Sequence, residues 1–589
     1  MSIHSNYNYL LNSVKFNGSI KGTIEFVKKT QLYKKELWKD FTKVFITQED
    51  SNDFGWRGEY WGKMMRGACL TYMYDNDEKL YDAIDYAVSE LLATQDEFGR
   101  FSSYTVEKEF NGWDMWARKY VLVGLQYFYG ICKDQEKKAI VLSSMKKHAD
   151  YLLEKVGNGK LDILKTSNNI WGGLNSATIL EPICELYKLT QEKKYLEFAE
   201  YILSSGGCVY TNLIDLTEFG SLLPYQYPVV KAYEIMSFFE GVLAYSEITD
   251  SERYFSIAKK FIDNVLKSDY TIIGSSGCSH EFFDNACVKQ SEFTDRPMQE
   301  TCVTVTLMRI VARLYSITGD IEYANVLELS AFNALYGSIN DKMADQFSYE
   351  ENRTVSGLPF DSYSPLAFSR RGSAIGGYKT FSFGGHYGCC GCIGAAGIAL
   401  VPLTSVMQYD DGYVVNNYVN CDVCDKDVKF SIDGDYLFDG KVKITLKCEK
   451  QFELKLRIPS WAVDFWVNCD YGIDGSYIVI KRAWKKGDVV ELSFGVGLEE
   501  ISVNGRIALK YGGLVLSQEY VSDYAFGTPI KLVREDEKIK FSAKRISDSE
   551  IAITVYEEGG KEIVLKNYSS VGKDPFDKTQ IINTWFNII

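Results

Sequence analysis

The sequence predicts a multidomain α+β protein, an α/α barrel of about six helical hairpins followed by antiparallel β-sandwich domains. Three observations carry this reading. The chain has 589 residues, 46% hydrophobic and 24% charged, the make-up of a folded globular protein. A helical hairpin recurs along the first two-thirds. Beyond about residue 408 the pattern changes to short β-branched segments.

The hairpins centre on Tyr74, Tyr129, Tyr187, Tyr245 and Tyr315, spaced 55, 58, 58 and 70 residues apart. Each is an apolar helical run, a short polar turn and a second helical run. Apolar residues recur at intervals of three and four on both sides of the turn. A fixed period marks a repeat architecture. Five hairpins plus the apolar helix from Gly394 to Met407 suit a closed ring of six, with an open solenoid as the alternative. This helical domain is assigned to 1–407. VKFSI, KVKITLKC, FELKLRI and YIVIKR, separated by Gly and Asp turns, fill a β-sandwich over 408–500. RIALKY, LVLSQEY, EIAITVY and KEIVLKN fill a second over 501–589. No Pro- or Ser-rich linker separates the units, so rigid packing is expected.

The net charge of −14 opposes binding to phosphate backbones, so no nucleic-acid partner is expected. The longest apolar stretch, Ile393 to Met407, contains Pro402 and is short of the ~20 residues that span a bilayer. The N-terminal segment lacks the charge, apolar core and cleavage site of a secretory signal, and a cytoplasmic protein without membrane attachment is expected. Its 14 cysteines are then reduced, buried or metal-bound. Only four histidines are present, His4, His148, His280 and His386.

The densest group of reactive residues is Gly384-Gly385-His386-Tyr387-Gly388-Cys389-Cys390-Gly391-Cys392, ahead of an apolar helix. A helix N-terminus favours thiolate, and adjacent cysteines can share a metal more easily than they can form a disulfide. Glu300-Thr301-Cys302 opens another helix, so a carboxylate and a thiol leave the same turn. Glu300, Cys302, Cys389 and Cys390 together offer zinc one oxygen and three sulfurs. Taken singly, Glu300 reads as a helix cap and Cys302 as core. Glu281, in SHEFFD, is a carboxylate between His280 and phenylalanines, where desolvation would raise a carboxyl toward the range of a general acid; taken singly it reads as a solvated loop carboxylate. Cys421 and Cys424 form a lone CxxC in a strand, where positions three apart face opposite sides, and read as structural. Trp56, Trp61, Trp113, Trp116 and Trp171 are expected in the hairpin loops, with Glu59 among them, although each tryptophan taken singly reads as core. Such a polar-aromatic cleft suits sugar rings.

Together these segments resemble glycoside hydrolase family 127, the β-L-arabinofuranosidase group. The resemblance rests on WRGEYWGKMMRG (56–67), SHEFFD (279–284), ETC (300–302), CC (389–390), FELKLRIPSWA (452–462) and NGRIALKYGGLVL (504–516), and spans nearly the whole chain. It implies a zinc-dependent retaining hydrolase that releases a terminal furanose, β-L-arabinofuranose, from small oligosaccharides. Glu300, Cys302, Cys389 and Cys390 would bind zinc, Cys389 would be the nucleophile and Glu281 the acid/base, with Glu300 the fallback nucleophile. Glu59, Trp61, Asn175, Lys231, His280 and His386 are the candidate sugar contacts. The chain departs from the family where Gly391-Cys392-Ile393-Gly394 follows the cysteine pair. It also departs in having Lys119 or Tyr120, Asn175 and Lys231 near the places of sugar-gripping histidines. An acidic sugar is one expectation from those lysines. A sugar-binding zinc protein without turnover, or another α/α-barrel activity such as a lyase, are the other readings. The last sandwich is a candidate homodimer contact.

Overall fold

A computed structural model describes residues 3–294, 297–348, 352–367, 369–410, 412–520, 529–574 and 580–588. Two helices come first, α1 (Gly18–Val27) and α2 (Lys35–Thr47). The five hairpins follow. They are α3 (Glu59–Asp75) with α4 (Glu78–Leu92), α5 (Asp114–Ile131) with α6 (Gln135–Lys155), α7 (Leu180–Thr190) with α8 (Lys193–Ser204), α9 (Ala232–Thr249) with α10 (Glu252–Ser268), and α11 (Thr301–Thr318) with α12 (Ile321–Leu329). The last barrel helix is α13 (Cys389–Ser405).

The polar turns work by a shared device. The first helix of four hairpins ends on a left-handed residue, Asn76, Gln191, Asp250 or Gly319. In the first and last hairpins an aspartate follows directly and caps the next helix. Asp77 accepts from the amides of Lys79 and Leu80, and Asp320 from that of Glu322. The chain thus reverses within two or three residues.

The inner helices close a ring. α3, α5, α7, α9, α11 and α13 each pack on the next, and α13 returns to α3. A closed barrel, rather than an open solenoid, is the result. Closure needs close backbone approach: a Cβ on Gly67 of α3 would lie 2.8 Å from the Ala395 Cβ of α13. All of α13 is buried, which explains its unbroken apolar sequence. The sixth hairpin is not contiguous, since α13 is backed by α1 from the start of the chain.

Two six-stranded sheets form the next layer. One orders the strands Asn8–Tyr9, Val406–Tyr409, Gly412–Val415, Lys450–Arg457, Tyr477–Trp484 and Gly472–Asp474. The other orders Phe465–Val467, Val489–Phe494, Lys441–Leu446, Val428–Gly434, Cys421–Asp425 and Val14–Phe16. Each sheet is thus extended by a strand from the N-terminal segment, which covers an edge. Residues 8–16 therefore pack with the sandwich although they precede the barrel in sequence. Cys421 is buried and Cys424 exposed, on opposite faces of their strand as the period of two requires.

The last segment forms one eight-stranded sheet. Its strand Leu514–Tyr520 changes partner along its length, from Lys510–Tyr511 to Lys566–Asn567 to Ile581–Asn583. Buried polar groups tie the domains together. Arg457 donates to the Asn416 carbonyl at 2.6 Å and to Asn325 at 2.7 Å, and is ion-paired with Glu328. Asn333 donates to the Gly513 carbonyl at 3.1 Å and accepts from the Val515 amide at 2.8 Å. All 14 cysteines are free thiols. Among the described residues no helix is long and apolar enough to cross a membrane.

Candidate functional site

The four donors singled out from sequence converge at the starts of two neighbouring inner helices. The strand Met298–Glu300 pairs with Tyr363–Pro365 and delivers Glu300 to the N-cap of α11, with Cys302 in its first turn. The strand His386–Gly388 pairs with Tyr378–Thr380 and delivers Cys389 and Cys390 to the first turn of α13. One ligand atom from each of Glu300, Cys302, Cys389 and Cys390 lies within 4.8 Å of all the others. The Cys389 and Cys390 sulfurs are 3.8 Å apart and those of Cys390 and Cys302 3.4 Å. Glu300 Oε1 is 3.8 Å from Cys389 and 3.6 Å from Cys390.

One glycine makes this approach possible. The Gly377 carbonyl accepts from the Cys389 amide at 3.1 Å, and a Cβ on Gly377 would collide with the Cys389 sulfur. Gly377 also has φ +57°, which favours glycine.

The cluster is anionic and dry. Glu300 is 3% exposed, and its Oε2 has no hydrogen-bond partner. Burial, then the neighbouring Cys389 thiolate, pushes its carboxyl up to about 8. Hydrogen bonds from Cys302 and Cys390 hold Cys389 well below the ordinary thiol range. Burial pushes the other two thiols up. Lys63 and Lys231 are the buried cations that act on the cluster, and Lys63 is 3.9 Å from the Cys302 sulfur and 3.1 Å from Glu59 Oε2. Burial works against its charge, but Cys302 and Glu59 outweigh it and raise its pKa. Burial likewise lifts Glu59 to about 7, with Lys63 opposing. Such a donor set, with an orphaned carboxylate oxygen, can hold a metal ion.

Glu281 stands beside this cluster, with its side chain 21% exposed. Its Oε1 accepts from the Tyr363 hydroxyl at 3.1 Å, and its Oε2 is ion-paired with Lys231. Tyr363 is the strand partner of Glu300, so one residue bridges the carboxylate and the cluster. Backbone bonds fix the SHEFFD loop on the start of α9: Ala232 donates to the Glu281 carbonyl at 3.0 Å and Phe283 to that of Val230 at 2.9 Å. His280 is left-handed at φ +61° and packs edge-on to Tyr363 at 4.7 Å.

The remaining candidates divide. Glu59 joins the site through Lys63 and accepts from the Trp116 indole. It begins α3 rather than lying in a loop. Trp61 is in the same turn but fully buried against Gly124 of α5, where it packs helix on helix. Asn175 is fully buried, donates to the Gly112 carbonyl at 3.1 Å and has an unpartnered Oδ1. His386 is half-buried, 3.2 Å from the Ser356 carbonyl. Lys119 is buried on Ser237, with Glu181 at 4.0 Å. Sequence reasoning missed Lys63 and Tyr363. The i,i+4 pairing of Glu59 with Lys63 inside WRGEYWGK was a signal for the first. Nothing local marks the second.

The fold and site define the class as an α/α barrel with a buried Glu/Cys₃ group and an adjacent carboxylate at one end of its inner helices. Residues 6–352 match the model of the β-L-arabinofuranosidase GH127 catalytic domain, and 412–496 that of the GH127 middle domain. The chain belongs to glycoside hydrolase family 127 and is a glycoside hydrolase. Among solved structures it is similar to a GH127 β-arabinofuranosidase, with 19% identity over 100% of this chain and 99% of that one and a TM-score of 0.73. It is also similar to a GH127 β-L-arabinofuranosidase from Geobacillus stearothermophilus T6, with 18% identity over 98% and 100% of the two chains and a TM-score of 0.71. No curated protein matches.

Proposed function

We propose that this chain is a retaining exo-glycosidase that releases a terminal β-L-arabinofuranose from small oligosaccharides. Cys389 is the nucleophile and Glu281 the acid/base. The observation that supports this most is the meeting of Glu300, Cys302, Cys389 and Cys390 within 4.8 Å beside a carboxylate that faces partly to solvent.

Zinc fits the four donors. Tetrahedral coordination at a Zn–S distance of about 2.3 Å sets sulfurs about 3.8 Å apart. The observed 3.8 and 3.4 Å are close to that spacing, and the orphaned Glu300 oxygen lacks only a cation. When bound, zinc supplies positive charge that keeps the thiols deprotonated and fixes their orientation.

The chain's own residues account for the steps. The Cys389 thiolate forms a bond to the anomeric carbon as the carbon–oxygen bond to the leaving group breaks. Glu281, protonated for this step, gives its proton to the departing oxygen. The product is a thioglycoside on Cys389 that retains the sugar. Glu281, now a carboxylate, takes a proton from water. The water oxygen bonds to the anomeric carbon, and the carbon–sulfur bond breaks to return the thiolate. Two displacements retain configuration, as in two-carboxylate glycosidases, with sulfur replacing the second carboxylate. Tyr363 and Lys231 hold the two oxygens of the Glu281 carboxylate, and the Lys231 pair opens when Glu281 takes up the proton it donates.

The pocket lysines favour a neutral sugar over an acidic one. Lys231 is engaged by Glu281, with Glu234 at 3.9 Å, and Lys119 by Ser237, with Glu181 at 4.0 Å. While Glu281 is ionised, neither carries uncompensated charge.

The test is hydrolysis of aryl β-L-arabinofuranosides by the wild type and by Cys389→Ser and Glu281→Gln, with zinc counted per chain by elemental mass spectrometry. The reading expects one zinc, release of arabinose and loss of turnover in both variants. Unchanged turnover in both variants overturns it. A wild type that binds arabinosides and never cleaves them makes the protein a sugar-binding relative instead.

A further inference from the structure

We propose that the seam between α1 and the two β-domains is a second carbohydrate site, one that binds a neutral oligosaccharide. It does not depend on the reading of the barrel centre. A cavity of about 720 Å³ lies there, within the range of small-molecule sites. It is distinct from the four-donor cluster, which sits at the N-terminus of α13, although Ile339 on one wall pairs with Phe360, two residues before the Ser362 carbonyl behind Cys390. That helix has 17 residues, about 25 Å of rise. At its far end the Ser405 carbonyl accepts from the Asn416 amide at 2.7 Å, and the chain runs on to Tyr418 and Asn420 on the cavity wall.

Three features of the wall point to a ligand. Phe26 of α1 and Phe438 of the sandwich line the cavity half-buried, as aromatic surfaces for the apolar face of a sugar. Tyr336 and Tyr436 line the same wall, and their hydroxyls are buried behind it without a protein partner. The third feature is Gly22. It sits inside α1 with ordinary helical backbone, a position glycine disfavours. A Cβ there would meet nothing within 4 Å, so packing does not require glycine. What a side chain at Gly22 would take is cavity space.

The charges select the ligand class. Asp341, Asp435, Asp548 and Glu550 outnumber Arg545 and Lys573. Arg545 is held by Asp435 at 2.7 Å and Asp548 at 3.1 Å, and Lys573 by the Gly337 carbonyl at 2.8 Å. No cation is left over for a phosphate or a carboxylate. Nor do the acids converge on a metal ion, since among the described residues only the Glu300 cluster groups three or more metal-ligating side chains. Aromatic surfaces, hydroxyls and amides without net positive charge suit a neutral polyhydroxylated chain.

The experiment is isothermal titration of full-length Cys389→Ser protein with arabinotriose, xylotriose, cellotriose and maltotriose, and with inorganic pyrophosphate as the anionic control. The same titrations are run on that protein carrying Gly22→Trp or Tyr436→Phe. At least one trisaccharide is expected to bind with a dissociation constant of about 1 mM or tighter. Gly22→Trp should weaken that binding about tenfold or more, because the indole enters the cavity, and Tyr436→Phe should weaken it less. In the otherwise wild-type chain, Gly22→Trp should leave aryl-arabinofuranoside hydrolysis and Tm unchanged. The proposal fails if no trisaccharide binds, if both variants bind as tightly as the parent, or if pyrophosphate competes. Failure of Cys389→Ser to abolish hydrolysis would overturn the catalytic reading alone.

Discussion

Removing metal should leave a pH-dependent weakness in the folded protein, and Glu300 is its chief source. The carboxyl is buried, its Oε2 has no partner, and it is pushed up from 4.5 to about 8. Between those values the folded metal-free chain holds a proton that the unfolded chain has released. The folded state binds more protons there, so stability falls as pH rises through the window. At 1.36 kcal/mol per unit, the shift amounts to about 5 kcal/mol once pH passes 8. Cys389 acts in the opposite direction, because its pKa is lowered and its thiolate gains stability with rising pH. The comparison that isolates the carboxylate is therefore wild type against Glu300→Gln, both stripped of metal and kept reduced. Urea unfolding at pH 5.5, 6.5 and 7.5 should show wild type losing stability relative to the amide variant by a kcal/mol or more per unit. Parallel stabilities across that range would refute the reasoning.

Other perturbations follow from the same geometry. Gly377→Ala should abolish hydrolysis while leaving most of the fold intact, because its Cβ collides with the Cys389 sulfur; kcat of a folded variant checks this. Lys63→Met should destabilise the protein by about 3–5 kcal/mol by leaving Glu59 buried without its cation, and Lys63→Met/Glu59→Gln should recover much of it in thermal unfolding. Mild peroxide should inactivate the enzyme by converting Cys389 to a sulfenate, and dithiothreitol should restore it. Full activity after peroxide would count against a sulfur nucleophile.

The sequence made the donors legible because two short motifs, Glu-x-Cys and Cys-Cys, each stand where an apolar helix begins. Helix starts in a barrel lie at its ends, so two such motifs can meet. The hairpins were legible from their period and polar turns, while the capping by Asp77 and Asp320 emerged from the structure. Ring closure was legible only from the hairpin count, with an open solenoid as the alternative, because the contact of Gly67 with Ala395 that makes it joins residues whose local patterns say nothing of each other. Nor was the N-terminal contribution, since Asn8–Tyr9 and Val14–Phe16 are too short to read as strands before their partners are known. Trp61 shows the limit of counting aromatics, because a tryptophan in the first turn of α3 and one in a cleft look alike in sequence. Tyr363 reaches Glu281 only through its pairing with Glu300, 63 residues away along the chain, and no spacing rule exposes that.

The central claim is that sulfur, not a carboxylate, attacks the sugar. Its most direct test is mass spectrometry of the Glu281→Gln variant after brief exposure to a β-L-arabinofuranoside with a good leaving group. Such a substrate needs no acid for the first displacement, and the variant lacks the base for the second. The account predicts a chain heavier by one pentosyl unit, with the adduct mapped by peptide sequencing to Cys389. An adduct on Glu300, or arabinose released with no adduct on the cysteine, would contradict it.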